Sequence, residues 1–378
     1  MGKKLDSILA KVQKDYKLNI QSAREVGKIK RLVLDSPSLN YIFSGGMPLG
    51  RVLFVQGPES GGKSSIATYI STQVQKKLEG KQTVLYLDYE NTFDAEHAEE
   101  MGLDIDNNFI VFQPDNAEDG FNLIKDMASS GEVGLVIVDS ISAMSSKAAC
   151  EDAFSGFAGG KTAAVIASGI RMLLPYLRNN DCTLIFISQE RSNIGAMYGP
   201  DFKATGGRAP AFYSSWSARV TRTGDILGPN KELAGIEIRV RNIKNKVGIA
   251  KRDANLKLYF NRGIDSEEEY MDYLKVLGLV AQKGAYYSNE EWVADDGTVG
   301  VKVCGMDKLK EFLKENPNLY NRLKDQVNQI ISKHTELDNV EQVLSEEEKA
   351  SGAWGVITMD DGMVINSEGE VLEDPNGN

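Results

Sequence analysis

Cysteine is scarce in this chain, and the few it has are far apart. Cys150, Cys182 and Cys304 match no disulfide framework and no metal-ligand spacing. That excludes a stapled secreted scaffold and points to a reducing compartment. Long apolar runs are missing too: no stretch approaches the length of a membrane span. The first residues, Met1-Gly2-Lys3-Lys4-Leu5-Asp6, turn polar at once, which speaks against a secretory leader. The expectation is a soluble, cytoplasmic protein. There is no internal repeat. Basic charge is nearly absent from the end of the chain: Glu336 to Asn378 holds 12 acidic residues and one Lys, while the rest balances 42 basic against 42 acidic residues. The formal net charge of −11 therefore sits in the last stretch. Such a tail either competes with polyanions for basic patches on the body or simply solubilises it.

What is present is apolar content of 42%, ample for a core, in 378 residues, more than one usual domain. Leu5, Ile8, Leu9, Val12 and Tyr16 recur at helical spacing, which predicts a short amphipathic helix over 3–18. From residue 35, apolar strands alternate with helical segments. Strands are expected at 51–56, 84–88, 109–112, 135–139 and 183–188, and helices at 66–77, 95–101, 120–129 and 162–178, the last with Pro175 inside it. This alternation predicts a parallel sheet with helices on both faces. From about 215 the pattern becomes β-rich without helices (215–223, 235–244, 255–260), so the sheet should end in antiparallel strands. After Gly263 a small α/β lobe is expected, with helices at 267–277 and 306–314 and short strands at 284–288 and 292–301. No element is assigned to 317–332. The segments are thus an N-terminal oligomerisation segment (1–34), a core (35–265), a small C-terminal lobe (266–332) and an acidic, flexible tail (333–378). In the tail, Trp354, Val356 and Ile357 could form one strand.

The chemistry is concentrated at Gly57-Pro58-Glu59-Ser60-Gly61-Gly62-Lys63-Ser64, which fits the phosphate-loop pattern G-x-x-x-x-G-K-[ST] between a strand and a helix. Glycines let backbone N–H groups turn inward around phosphate oxygens, and the helix N-terminus adds partial positive charge. Lys63 would reach the β- and γ-phosphates of ATP, Ser64 would ligate Mg²⁺, and Ser65 follows in the same turn. Asp139, ending the apolar strand 135–139, would hold the metal through water. Glu90, just past the strand 84–88, is the candidate base for water; a capping role for Asp88 or Glu90 is the alternative. Gln189 ends the strand 183–188 and could contact the γ-phosphate. Two glycine-rich loops with aromatics and cations, 150–160 and 190–208, suit single-stranded nucleic acid, or are ligand-free surface loops.

These residues resemble the RecA recombinases. The likeness runs from the phosphate loop with its Pro-Glu-Ser through Asp104-Ile105-Asp106-Asn107, Gln113-Pro114-Asp115, Val138-Asp139-Ser140, Ile185–Gln189 and Asn193-Ile194-Gly195. It continues through Thr205-Gly206-Gly207, Phe212-Tyr213 and Lys244-Asn245-Lys246 to Gly284-Ala285-Tyr286-Tyr287. The resemblance covers roughly residues 35 to 330, in the family's order. It implies an α/β, RecA-type P-loop ATPase core with a mostly parallel central sheet, a short N-terminal helix and a small C-terminal α/β lobe. It implies a DNA-dependent ATPase that forms head-to-tail helical filaments on single-stranded DNA and exchanges strands with a homologous duplex. Single-strand-binding and mediator proteins would be further partners. By motif match, Glu90 would be the catalytic carboxylate, Asp94 and His97 would lie near the adenine, and Gln189 would couple the γ-phosphate to the second DNA loop. Lys244 and Lys246 would reach the neighbouring protomer's nucleotide. The DNA-contacting set would be Phe157, Gly159, Gly160 and Arg171 around the first loop, and Arg191, Asn193, Ile194, Gly195, Gly206, Gly207 and Arg208 in the second. Departures are Asn91-Thr92-Phe93 before Asp94, where His-Ala-Leu is usual, Arg208 in place of Asn, and Ala-Pro-Ala before Phe212. They fit a divergent member, such as a phage-encoded recombinase. A ring helicase-like motor and a nucleotide-gated DNA-binding scaffold of the same fold are the alternatives.

Overall fold

The computed structural model describes residues 29–151, 158–192, 202–204 and 207–332, with short pieces of regular backbone at 7–8, 11–12, 14–15, 356–358, 364–366 and 371–373. The N-terminal pieces are helical, and the rest of the amphipathic stretch lies outside the described residues. Three short strands, Val356–Thr358, Val364–Asn366 and Val371–Glu373, pair antiparallel in the C-terminal region, where the sequence suggests at most one.

The centre is a ten-stranded sheet. Two small strands, β1 (Arg31–Leu32) and β2 (Met47–Pro48), flank the short helix α1 (Pro37–Ile42) and lead into it. The sheet's parallel part comprises β3 (Val52–Gly57), β4 (Thr83–Asp88), β5 (Phe109–Phe112), β6 (Val133–Asp139) and β7 (Thr183–Ser192). Their spatial order is β3-β7-β6-β4-β5. A short strand, β8 (Phe202–Ala204), folds back on the end of β7. On the other side of β3 lie β9 (Trp216–Leu227), still parallel to it, and then β10 (Leu233–Asn245), β11 (Asp253–Tyr259) and β12 (Gly263–Ile264) in antiparallel succession.

Side-chain alternation decides which helix covers which face. Leu53, Val55, Val84, Tyr86, Leu135, Ile137, Ile185 and Ile187 point to one face. There they meet Ile66, Ile70 and Val74 of α2 (Lys63–Lys77). Their neighbours Val52, Phe54, Leu85, Leu87, Val136, Val138, Leu184 and Phe186 point to the other face. That face is covered by α4 (Ala117–Ser130) and α6 (Ala158–Asn179), through Phe121, Ile124, Ile166, Ile170 and Leu173. Between these elements lie α3 (Ala95–Glu100) and α5 (Lys147–Glu151). Helix α6 runs through Pro175 to Asn179, and α7 (Ala209–Tyr213) precedes β9.

The C-terminal lobe carries α8 (Ser266–Val276), the three-stranded sheet β13 (Ala281–Lys283), β14 (Tyr286–Val293) and β15 (Val299–Cys304), then α9 (Met306–Glu315) and α10 (Pro317–Ser332). Helix α10 was not expected. It buries Leu319, Leu323, Val327 and Ile331, and these continue the apolar cluster of the α2 face without a break. Polar contacts reinforce the seam: Asn40 Nδ2 donates to Asn328 Oδ1 at 3.3 Å, and Asn328 Nδ2 donates to the Tyr270 hydroxyl at 3.0 Å.

Candidate nucleotide site

The phosphate loop bridges the end of β3 and the start of α2. Its glycines answer to packing as well as to ligand. A Cβ on Gly57 would lie 2.1 Å from the Val220 carbonyl oxygen of β9, so only glycine allows β9 to close against β3 there. Gly62 caps α2 with φ +87°, and a Cβ there would crowd Ile236 and Ile238 of β10. The loop is thus seated on β9 and β10.

Lys63 is buried, and its ammonium donates to the Pro58 carbonyl at 2.6 Å across the loop. Burial holds its pKa below the ordinary lysine value, while Asp139, Glu90, Glu190 and Glu59 pull the other way. Ser64 Oγ donates to Asp139 Oδ2 at 2.6 Å, and the Tyr86 hydroxyl donates to the same oxygen at 2.6 Å. Burial raises the Asp139 pKa; these two hydrogen bonds oppose the rise, and the charges of Glu90 and Asp88 add to it. A hydroxyl and a carboxylate, both hard oxygen donors beside a phosphate loop, fit Mg²⁺. Among the described residues no three His, Cys, Asp or Glu converge as a metal cage, so a cation here would depend on the nucleotide for further oxygens.

Glu90 stands at the adjoining strand ends. Its carboxylate accepts from Gln189 Nε2 at 3.0 and 3.2 Å and from the Ser140 hydroxyl, which follows Asp139. The capping alternative falls to other acids. Asp88 accepts from the N–H groups of Glu90 and Phe93 and thereby shapes the turn, and Asp94 caps α3 by accepting from His97 N at 3.1 Å. The five residues Lys63, Ser64, Glu90, Asp139 and Gln189, scattered over more than 120 positions, are thereby gathered at the carboxyl ends of β3, β4 and β6 and where β7 stops pairing with β3.

Other expected residues lie elsewhere. His97 packs edge-on to Phe260, ring centroids 6.0 Å apart. Phe260 follows β11 and carries no signal that sequence reading could have used. Lys244 Nζ donates to the carbonyls of Ala211 and Phe212 at the end of α7, at 2.5 and 2.9 Å. Lys246 Nζ lies 5.9 Å from the centre of the Phe212 ring. In register, Lys244 faces Ser217, which faces Phe54, so it is on the order of 14 Å from Gly57 along and across the sheet. In this structure both lysines contact α7 and not the phosphate loop of their own chain.

Of the expected DNA contacts, Phe157, Asn193, Ile194, Gly195 and Gly206 lie outside the described residues. Gly159 and Gly160 are in the first turn of α6, and Arg171 is exposed further along the same helix. Arg191 pairs with Lys203 in the β7–β8 ladder, so part of the expected second loop is strand. Gly207 sits with φ +82° against Ala163 of α6, and Arg208 is exposed beside it. The flanks of the two candidate loops therefore meet.

Fold and site together define a class: an α/β protein whose mostly parallel sheet presents a phosphate loop at its strand ends. The family model for the RecA N-terminal domain matches residues 3–265. The chain is 31% identical over 329 residues to the RecA protein of Thermus aquaticus, covering 86% of this chain and 93% of that one. It is 31% identical over 319 residues to RecA of Caulobacter vibrioides (83% and 86% covered) and 32% identical over 322 residues to RecA of Allochromatium vinosum (84% and 89%). The chain belongs to the RecA family of recombinases. Among the described residues no helix is long and apolar enough to cross a membrane.

Proposed function

We propose that this protein is a DNA-dependent ATPase that assembles head to tail on single-stranded DNA and pairs it with a homologous duplex. The observation that carries the reading is the junction at Gln189. Its amide holds the Glu90 carboxylate on one side, and its strand continues directly into the β7–β8 hairpin on the other. A group that senses phosphate and a segment suited to DNA are thus consecutive in one strand.

In this reading Lys63 stabilises charge on the β- and γ-phosphates, and Ser64 with Asp139 holds Mg²⁺, which when bound neutralises phosphate charge. Glu90 orients water and accepts its proton. Asp94 and His97, with Phe260, border the base. Lys244 and Lys246 act on the nucleotide of the next protomer, which a repeating heterologous interface permits. The first DNA segment precedes and opens α6, with Arg171 behind it; the second spans the β7–β8 hairpin to Arg208.

Electron microscopy with an ATP analogue and single-stranded DNA, together with a strand-exchange assay, tests the reading. Helical filaments and joint molecules are expected. Closed rings would identify a translocating motor, and nucleotide-dependent binding without exchange would identify a scaffold; either overturns the recombinase reading.

A further inference from the structure

Gln56, Glu190 and Arg219 lie outside every motif that carries the family likeness, yet they meet beneath the phosphate loop. The Glu190 side chain is 2% exposed. Its carboxylate accepts from Arg219 Nε at 2.8 and 3.1 Å and from Gln56 Nε2 at 3.1 Å. The three residues come from three adjacent strands: Glu190 from β7, Gln56 from β3 and Arg219 from β9, with Gln56 and Arg219 directly paired. A carboxylate this buried persists as an ion only with a cation and further donors around it, and removing one partner leaves an uncompensated charge.

The chain positions of these residues give the cluster its meaning. Gln56 immediately precedes Gly57, the first residue of the phosphate loop. Glu190 immediately follows Gln189 and pairs with Ala204 at the root of the β7–β8 hairpin. Successive strand residues face opposite sides. Gln189 therefore reaches Glu90 on one side while Glu190 reaches Arg219 and Gln56 on the other. A displacement of Gln189 that turns the end of β7 also drags this bridge, whose Glu190 end is buried and is anchored to the loop strand through Gln56.

We propose that Gln56, Glu190 and Arg219 are positioning residues that tie the nucleotide site to the β7–β8 hairpin, transmitting the bound nucleotide's state to DNA alongside Gln189. This rests on the reading of that hairpin as a DNA-binding segment. In this proposal the three side chains act on the coupling between nucleotide and DNA and not by binding either one.

The test measures binding, apart from turnover. A fluorescein-labelled oligothymidylate reports DNA affinity by anisotropy in the presence of a slowly hydrolysed ATP analogue and then of ADP; a fluorescent ATP analogue reports nucleotide affinity without DNA. In Glu190→Gln the analogue-to-ADP ratio of DNA affinities should collapse by about tenfold, while nucleotide affinity stays within about threefold. The double variant Glu190→Leu/Arg219→Leu removes the bridge without stranding a charge, and should do the same if Glu190→Gln fails to fold. Arg219→Lys, which keeps a cation beside Glu190, should restore most of the ratio. An unchanged ratio in a folded variant overturns the proposal. So does a parallel loss of nucleotide affinity, which would make the bridge part of the nucleotide pocket. If the wild-type protein binds no DNA with either nucleotide, the proposed function itself fails, a separate result.

Discussion

Lys63 and Glu90 show how much a single side chain carries at this site. Lys63 makes its hydrogen bond to a backbone carbonyl of its own loop and closes no ion pair, although Asp139, Glu90 and Glu190 lie near enough to act on it, so Lys63→Ala should leave the fold intact. Phosphoryl transfer without its ammonium should slow by ~10³ or more. Steady-state ATP hydrolysis, with circular dichroism as the check on folding, measures this; near-wild-type turnover in a folded variant would refute the role. Glu90→Gln keeps a group able to hydrogen-bond Gln189 and Ser140 but unable to accept a proton from water. It should bind ATP and DNA normally and hydrolyse almost nothing. Failure to bind nucleotide would make Glu90 structural. At this scale the sequence was most legible where motif and strand end coincide, as at Lys63, Ser64, Asp139 and Gln189. It was silent on Gln56, Glu190 and Arg219, because an ion pair between strands adjacent only in space leaves no spacing to read.

Among elements, the seam between α8 and α1 carries a titratable group. Both carboxylate oxygens of Glu269 are buried without a closed hydrogen bond. Burial pushes its pKa up to about 7; Ser36 and Ser38 offset part of the rise, and Asp272 adds to it. Below pH ~4.5 the carboxyl is protonated folded or unfolded and contributes no pH dependence. Between that value and about 7 the folded chain retains a proton that the unfolded chain releases, so stability falls as pH rises, by on the order of 3 kcal/mol at neutral pH and above. Glu269→Gln should therefore unfold at higher denaturant concentration than wild type at pH 8, with the gap closing near pH 4.5. Equal midpoints at pH 8 would show that the carboxyl is solvated. Elements were legible where period and punctuation agree, as along the alternating strands and helices from 51 to 188. Helix α10 escaped although Pro317 sits at its start and Leu319, Leu323, Val327 and Ile331 follow a helical period. Its apolar face packs against the adjacent α9 but also against α8 and against α1, the last more than 250 residues earlier in the chain. The β7–β8 pairing escaped because glycine-rich composition hides the four residues that extend β7 beyond Ser188.

For the whole molecule, one edge of the sheet has no further strand on it among the described residues. Strand β5 ends it, with Ile110, Val111 and Phe112 between 37 and 43% exposed. With Lys244 and Lys246 remote from their own phosphate loop, catalysis across an interface becomes testable by mixing. Lys244→Ala and Glu90→Gln should each be nearly inactive. Together, random assembly gives a fully wild-type site at about a quarter of interfaces, and single-stranded-DNA-dependent turnover should recover in part. Co-assembled filaments that hydrolyse no faster than either variant alone would show that the lysines act within one chain or on DNA. The seating of the phosphate loop on Val220, Ile236 and Ile238 also has a temporal side. The loop is written early in the gene and its support late, about 170 residues apart. At synthesis rates of roughly 5–20 residues per second, the growing chain spends about 10–30 s with its nucleotide loop made but unsupported. A ribosome-bound fragment that stops before β9 should therefore be blind to ATP, and ATP can greet this protein only when its sheet is nearly whole.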